Sequence, residues 1–188
     1  MKTVLTVLAL SIATAAGAAD FTGPYFEARG GLDNAKTVVD GYSSSSKSGF
    51  AYGGAIGYDL SAGNNVIVGG LAGFNGSTVK DCDSGVCLKA GRDIEALVRL
   101  GYAASSSILV YALGGYANGR ATLAIPSYGS YSQDYSGFRV GGGIEQDFNA
   151  HAFLKIEYRY TSYGKQNIEG YETSFRRHQV LAALGYRF

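Results

Sequence analysis

The feature that most limits what this chain can fold into is a period of two. From about Gly23 to Phe188, segments of 10 to 13 residues alternate in character and are separated by polar breaks. Two is the side-chain period of a β-strand, so each segment reads as a strand with unlike faces. In the clearest case Phe50, Tyr52, Gly54, Ile56, Tyr58 and Leu60 share one face, and Gly49, Ala51, Gly53, Ala55, Gly57 and Asp59 the other. The first face is large and apolar, the second small. Near the end Ala152, Leu154, Ile156, Tyr158 and Tyr160 alternate with Phe153, Lys155, Glu157, Arg159 and Thr161, and there the second face carries charge.

The pattern gives eight strands, at roughly 23–33, 49–60, 65–76, 93–103, 107–120, 136–148, 151–163 and 174–188. In 65–76 and 107–120 both faces are apolar or small, and alternation alone does not orient them. The breaks alternate in length: short at Ser61–Asn64, Ala104–Ser106 and Asn149–Ala150, long at 34–48, 77–92, 121–135 and 164–173. Short turns on one side and long loops on the other are the plan of an up-and-down outer-membrane barrel. The expected fold is therefore an all-β, eight-stranded antiparallel transmembrane β-barrel with both termini on the short-turn side. The long breaks, such as GYSSSSKSG and PSYGSYSQDYSG, are expected to be mobile, exposed loops.

A soluble lipocalin-like barrel has the same period with its faces reversed. Size separates the two, because eight strands enclose a space only wide enough for side chains. The aromatic and branched face is too bulky to fill it from every strand. The glycine-rich face fits, and 28 glycines in 188 residues supply it. That face carries Glu27, Glu95, Glu145, Asp147 and Glu157 together with Arg29, Arg99, Arg139, Lys155, Arg159, Arg177 and Arg187. Charges withdrawn from water must pair, so these residues are expected to form an ion-pair network in the lumen. Tyr58, Tyr102, Phe148, Tyr186 and Phe188 fall at the short-turn ends of the large face, where an aromatic girdle meets the headgroups. Phe50, Tyr52, Phe138, Tyr158 and Tyr160 fall toward the opposite ends.

Residues 1–19 read as a signal peptide: Lys2, then the apolar stretch Val4–Ile12, then small residues, with cleavage after Ala18 or Ala19. The apolar stretch is shorter than the roughly 20 residues of a membrane-spanning helix. Residues 20–188 form the barrel domain. Export makes a disulfide the expected state of Cys82 and Cys87 in KDCDSGVCLK; two cysteines without a nearby histidine make a poor zinc site. A formal net charge of +1 gives no field that would draw the chain to nucleic acid.

The segments GFRVGGGIEQDFNAHAFLKIEYRYTSYG and HQVLAALGYRF closely resemble the last three strands of the small opacity-type, outer-membrane-protein-A-like porin family of Gram-negative bacteria. DFTGPYFEARGG and GFAYGGAIGYDL resemble its first two. The resemblance implies an outer-membrane barrel, exported through the periplasm, without catalysis or cofactor. It also implies a role in envelope integrity, surface adhesion or immune exposure, with weak pore activity as the alternative. Its implied partners are outer-membrane lipids and lipopolysaccharide and a host or matrix ligand at the loops. The terminal Phe188, with Leu184 and Tyr186 at alternate positions, resembles the signal read by the outer-membrane assembly machinery. With the chain stopping at Phe188, the peptidoglycan-binding domain of larger relatives is not expected.

Two chemical readings compete with this one. Gly141–Gly143 has neither the helix nor the lysine of a phosphate loop. A lipid A-modifying enzyme would need a histidine near the outer leaflet beside a serine or carboxylate. His178, with Ser174 and Glu172 upstream, is the only candidate, and its parity turns it toward lipid.

Overall fold

The computed structural model describes residues 21–39, 45–83, 86–125, 129–168 and 171–188. The signal peptide expected at 1–19 lies outside them. Nine strands follow one another: β1 Gly23–Val39, β2 Ser45–Gly63, β3 Val66–Ser77, β4 Lys80–Asp83, β5 Val86–Ala103, β6 Ile108–Ile125, β7 Gly129–Asp147, β8 Ala152–Ile168 and β9 Tyr171–Arg187. All pairings are antiparallel, β3 and β4 both lie against β5, and β1 closes the ring against β9 from Tyr25↔Arg187 to Val39↔Thr173. Closure leaves no free sheet edge, the condition for crossing hydrocarbon with strands.

The nine strands make eight staves, because β4 continues β3. Both lie against β5, through Asn75↔Asp93 and Lys80↔Lys89. Two backbone–backbone hydrogen bonds and one to the Thr78 side chain bridge the interruption. Thr78 N donates to Phe50 O at 2.9 Å, Phe50 N donates to Thr78 Oγ1 at 2.8 Å, and Ala90 N donates to Val79 O at 2.9 Å.

Exposure alternates along each stave in the sense that distinguishes a membrane barrel from a soluble one. Leu32, Ile56, Val98 and Leu184 are 70, 67, 69 and 61% exposed, while Arg99, Arg139 and Arg159 are 1% or less. An apolar surface this extensive is stable only against lipid. The two unoriented segments take the same sense. Ile67, Leu71 and Asn75 of β3 point inward with Leu109, Tyr111 and Leu113 of β6, and Val68, Phe74, Val110 and Tyr116 point outward.

The four long breaks differ from expectation: most of their residues are strand. β1 and β2 stay paired to Thr37↔Ser45, β6 and β7 to Ile125↔Gly129, and β8 and β9 to Ile168↔Tyr171. Staves of 17 to 19 residues are far longer than the roughly 10 residues that cross a bilayer, so their outer ends stand above it. Those ends need no apolar face, and polar cross-strand contacts hold them. Asn34 Nδ2 donates to Ser48 Oγ and Asn34 Oδ1 accepts from Ser46 Oγ, each at 3.0 Å. Thr122 and Ser132 hydroxyls are 3.0 Å apart, and Arg120 Nε donates to Asp134 at 2.8 Å.

The short turns stay tight. The first is two residues, Asn64–Asn65, against the four-residue break expected at Ser61–Asn64, because β2 runs on to Gly63. Both residues have positive φ, 50° and 64°, as the favoured two-residue hairpin turn requires and asparagine tolerates. In the third, Asn149 Oδ1 accepts from His151 N at 2.9 Å and Ala152 N at 2.8 Å, turning the chain on one side chain.

Candidate functional site in the barrel lumen

Inward parity brings charged side chains from β1, β2, β5, β7, β8 and β9 into one narrow space, and they join into a continuous network. At the turn end Arg99 meets Asp59 and Glu145, and Arg187 meets the same two carboxylates. Lys155 links upward, 3.4 Å from Glu145 and 2.7 Å from Glu27. Arg29 lies 3.5 Å from Glu27 and 2.6 Å from Glu95. Glu95 is the hub, reached also by Arg139 and, at 2.8 Å, by Arg159, which in turn holds Glu157. Arg139 continues to Asp93 at 2.8 Å. Arg177 ends the series, 3.3 Å from Asp93 and 2.5 Å from Asp33.

Aromatic side chains fill what the ions leave. Tyr25 and Phe153 meet edge to face at 5.8 Å, with Lys155 Nζ 4.3 Å from the Tyr25 ring centroid and the Arg99 guanidinium 4.8 Å from that of Tyr111. Tyr111 donates its hydroxyl to Glu157 at 2.8 Å. Phe21, Ile67 and Leu109 pack together as a separate apolar cluster. The glycines make room for these groups: a Cβ on Gly73 would strike the Arg29 guanidinium and come within 2.7 Å of Glu95 Oε1.

All twelve residues expected in the lumen are buried there. Eleven of them are brought into ion pairs, and Asp147 is the exception. Among the described residues no cation pairs with it, and its Oδ1 has no hydrogen-bond partner. Register sets Asp147 against Phe153 rather than a cation. The expected network leaves out Asp33, Asp93 and Asp59, the last already on the small face of its strand, and all three are 1% exposed or less. Continuing the parity of Glu27 and Arg29 reaches Asp33, and stepping back two residues from Glu95 reaches Asp93. With these three included, seven carboxylates face seven cations, and Asp147 is the eighth acid.

On the outer wall Tyr58, Tyr102, Tyr186 and Phe188 are exposed near the turns, while Phe148 is only half-buried there. Phe188 N donates to Pro24 O at 3.0 Å, which ties the last residue into the ladder. His178 is half-buried, with Nδ1 2.7 Å from the Tyr158 hydroxyl. Ser174 stands four residues along the same strand, about 13 Å at strand rise, so the backbone does not bring it to the imidazole. In the β4–β5 hairpin Cys82 lies directly opposite Cys87.

The family model for the outer membrane protein beta-barrel domain matches residues 3–188. The 31 kDa outer-membrane immunogenic proteins of Brucella melitensis biotype 1 and Brucella suis biovar 1 are each 32% identical over 160 residues, covering 74% of this chain and 67% of theirs. The crystal structure of Neisserial surface protein A superposes with a TM-score of 0.65 at 20% identity, over 89% of this chain and 98% of that one. Ail, the attachment invasion locus protein of Yersinia pestis, gives 0.54 at 16% identity, over 89% and 100%. It has also been solved in complex with the heparin analogue sucrose octasulfate, with a TM-score of 0.51 at 16% identity, over 88% and 99%. The match over nearly the whole chain, with a closed ring of eight antiparallel staves, places this chain in the outer membrane protein beta-barrel domain family, in the outer membrane of Gram-negative bacteria.

Proposed function

We propose that this protein is a non-enzymatic barrel that contributes to envelope integrity and offers four extracellular hairpins for surface interaction. The observation that carries the reading is the lumen. Ion pairs run through it from Arg187 to Asp33, and among the described residues these buried groups fill the lumen along that length. The separation of His178 from Ser174 weighs against hydrolytic chemistry, and the long paired outer ends favour contact with something outside the cell. The Ail complex with a heparin analogue supports ligand binding by a barrel of this fold. Residues 1–19 act in this reading as a cleaved export signal, Phe188 as the contact for the assembly machinery, and Cys82–Cys87 as a disulfide that closes the second hairpin.

A strain lacking the gene, complemented with the native chain or with a chain shortened between residues 121 and 135, tests both parts. The proposal expects envelope-stress sensitivity in the deletion strain, rescued by both chains, and surface attachment restored only by the native one. Steady conductance in planar bilayers that scales with protein amount would instead favour the porin-like alternative.

A further inference from the structure

Where β1 closes the ring against β9, the outward side chains form a ladder of directly opposed pairs. It begins with Phe26 against Tyr186, whose rings stack at 6.0 Å, passes Leu32 against Val180 and Asn34 against His178, and ends with Lys36 against Arg176. Leu32 and Leu184, between the two ends, are 70 and 61% exposed on the lipid-facing wall. Ten residues separate Phe26 from Lys36, and ten separate Tyr186 from Arg176. At about 3.3 Å per residue and a tilt of about 40°, that is a rise of about 25 Å, the height of the apolar band of an outer-membrane barrel. The two cations therefore stand level with the outer-leaflet headgroups.

Both point away from the lumen. Asp33 and Arg177, on the inward parity of the same strands, are buried, while Arg176 is exposed and Lys36 half-buried. Neither outward cation has a carboxylate partner among the described residues. Directly opposed side chains in an antiparallel pair lie about 4.5–5.5 Å apart, and like charges there destabilise the sheet unless an anion relieves them. Phosphate suits the pair, because a guanidinium takes it through two N–H groups and a lysine adds a point charge. Hydroxyls flank it, with Ser162 opposite Arg176 and Tyr160 opposite His178.

The same level on β6 and β7 is neutralised by the protein itself. Arg120, ten residues from Val110, meets Asp134 at 2.8 Å, and Arg92 shares that acid at 3.4 Å. Lys80 and Lys89 also oppose each other, but beside Thr122, two residues farther out than Arg120. The Lys36–Arg176 pair is thus the unanswered positive charge at headgroup level among the described residues.

We propose that the Lys36–Arg176 seam binds a phosphate of a phosphorylated glycolipid in the outer leaflet. The Ser162 and Tyr160 hydroxyls lie beside its sugar, and its acyl chains run down the wall along Leu32, Val180 and Leu184. The site is on the wall rather than the hairpins, so it stands whether or not the hairpins take a surface partner.

Native mass spectrometry of the full barrel, released from nanodiscs that hold lipid A, chemically dephosphorylated lipid A and phosphatidylglycerol in equal amounts, tests the proposal. Preferential retention of phosphorylated lipid A is expected. Lys36→Gln/Arg176→Gln should cut that preference by about fivefold, the size of partly exposed charge contacts, with heat-modifiable gel mobility showing that the variant folds. Lys36→Arg, which keeps the charge, and Arg120→Gln/Asp134→Asn, which removes the neutral pair at the same level, should both retain it. Equal retention of the dephosphorylated lipid or of phosphatidylglycerol by the native chain would overturn the proposal. So would an unchanged preference in a folded Lys36→Gln/Arg176→Gln barrel.

Discussion

Arg139 grips Asp93 through both ends of its guanidinium, Nη1 to Oδ1 and Nη2 to Oδ2 at 2.8 Å each, reaching from β7 to β5 past the intervening β6. Both side chains are 1% exposed or less, so each is the other's substitute for water. Removing one charge should therefore cost more than removing both. Asp93→Ala is expected to destabilise the barrel by about 3–5 kcal/mol. Arg139→Met with Asp93→Leu should recover part of that loss, since Arg177 keeps Asp33. Urea unfolding in lipid vesicles, read by gel mobility, measures both. A single substitution as stable as the native chain would contradict the pairing.

Glu145 and Asp147 share a strand face and differ in partners. Glu145 meets Arg99, Lys155 and Arg187, whereas Asp147 pairs with no cation among the described residues. Glu145→Gln should cost several kcal/mol, because three buried cations lose their shared acid. Asp147→Asn should be neutral or stabilising by the same unfolding measurement.

The faces that explain those differences were legible in the sequence; the extents of the strands were not. Parity alone put Glu95 and Arg99 on the inner face, because a one-residue slip would send every charge into lipid. It also oriented β2, where Phe50 and Gly49 differ sharply in bulk. It could not orient β3 or β6, where a residue such as Leu71 or Leu113 has the same character as its outward neighbours. The outer ends of β6 and β7 mix small and polar residues, such as Gly119, Arg120 and Thr122 with Ser130, Ser132 and Gln133, and without a continuous apolar stripe they resemble loop. They are strand because the backbone ladder and contacts such as Thr122–Ser132 suffice where both sides meet water. Asp33 and Asp93 are the terminal residues of the expected strands 23–33 and 93–103 and so fall outside the expected lumen set, and the isolation of Asp147 depends on register, which composition does not encode.

Glycine at inner and outer positions should respond differently to the same methyl group. At Gly73 a Cβ meets the Arg29–Glu95 pair, whereas at Gly70 the nearest atom is Leu97 O at 3.8 Å. Gly73→Ala is expected to lose about 1–3 kcal/mol through overpacking, and Gly70→Ala to stay near the native value. Parallel unfolding titrations of the two variants check this.

Above the membrane, the hydrogen bond and charge of Arg120 hold the Asp134 carboxyl below its ordinary range. A carboxylate lowered in the folded state contributes its stabilisation above its unfolded pKa and loses it as pH falls through the folded value. Carbon-detected NMR of Asp134 should give a midpoint below that of an ordinary aspartate. Arg120→Ala should raise it, and so should high salt, which screens exposed charges.

Cys82 and Cys87 stand opposite each other in one antiparallel pair, where Cα atoms are about 4.5–5.5 Å apart, within the span of a disulfide. Mass spectrometry of protein from the periplasm-facing pathway should find the pair oxidised. Because the loop between them is short, reduction should lower stability by about 2 kcal/mol at most.

The Val98 face of the sheet meets lipid, while the Arg99 face is sealed inside. The chain contains no tryptophan, so a single introduced indole reports on its own surroundings. Val98→Trp and Tyr131→Trp, each reconstituted in bilayers of bromine-labelled lipid, compare the middle of the outer wall with an outer hairpin. Strong bromine quenching at position 98, with position 131 quenched instead by aqueous acrylamide, is the predicted result. Acrylamide quenching at position 98 without bromine quenching would contradict it.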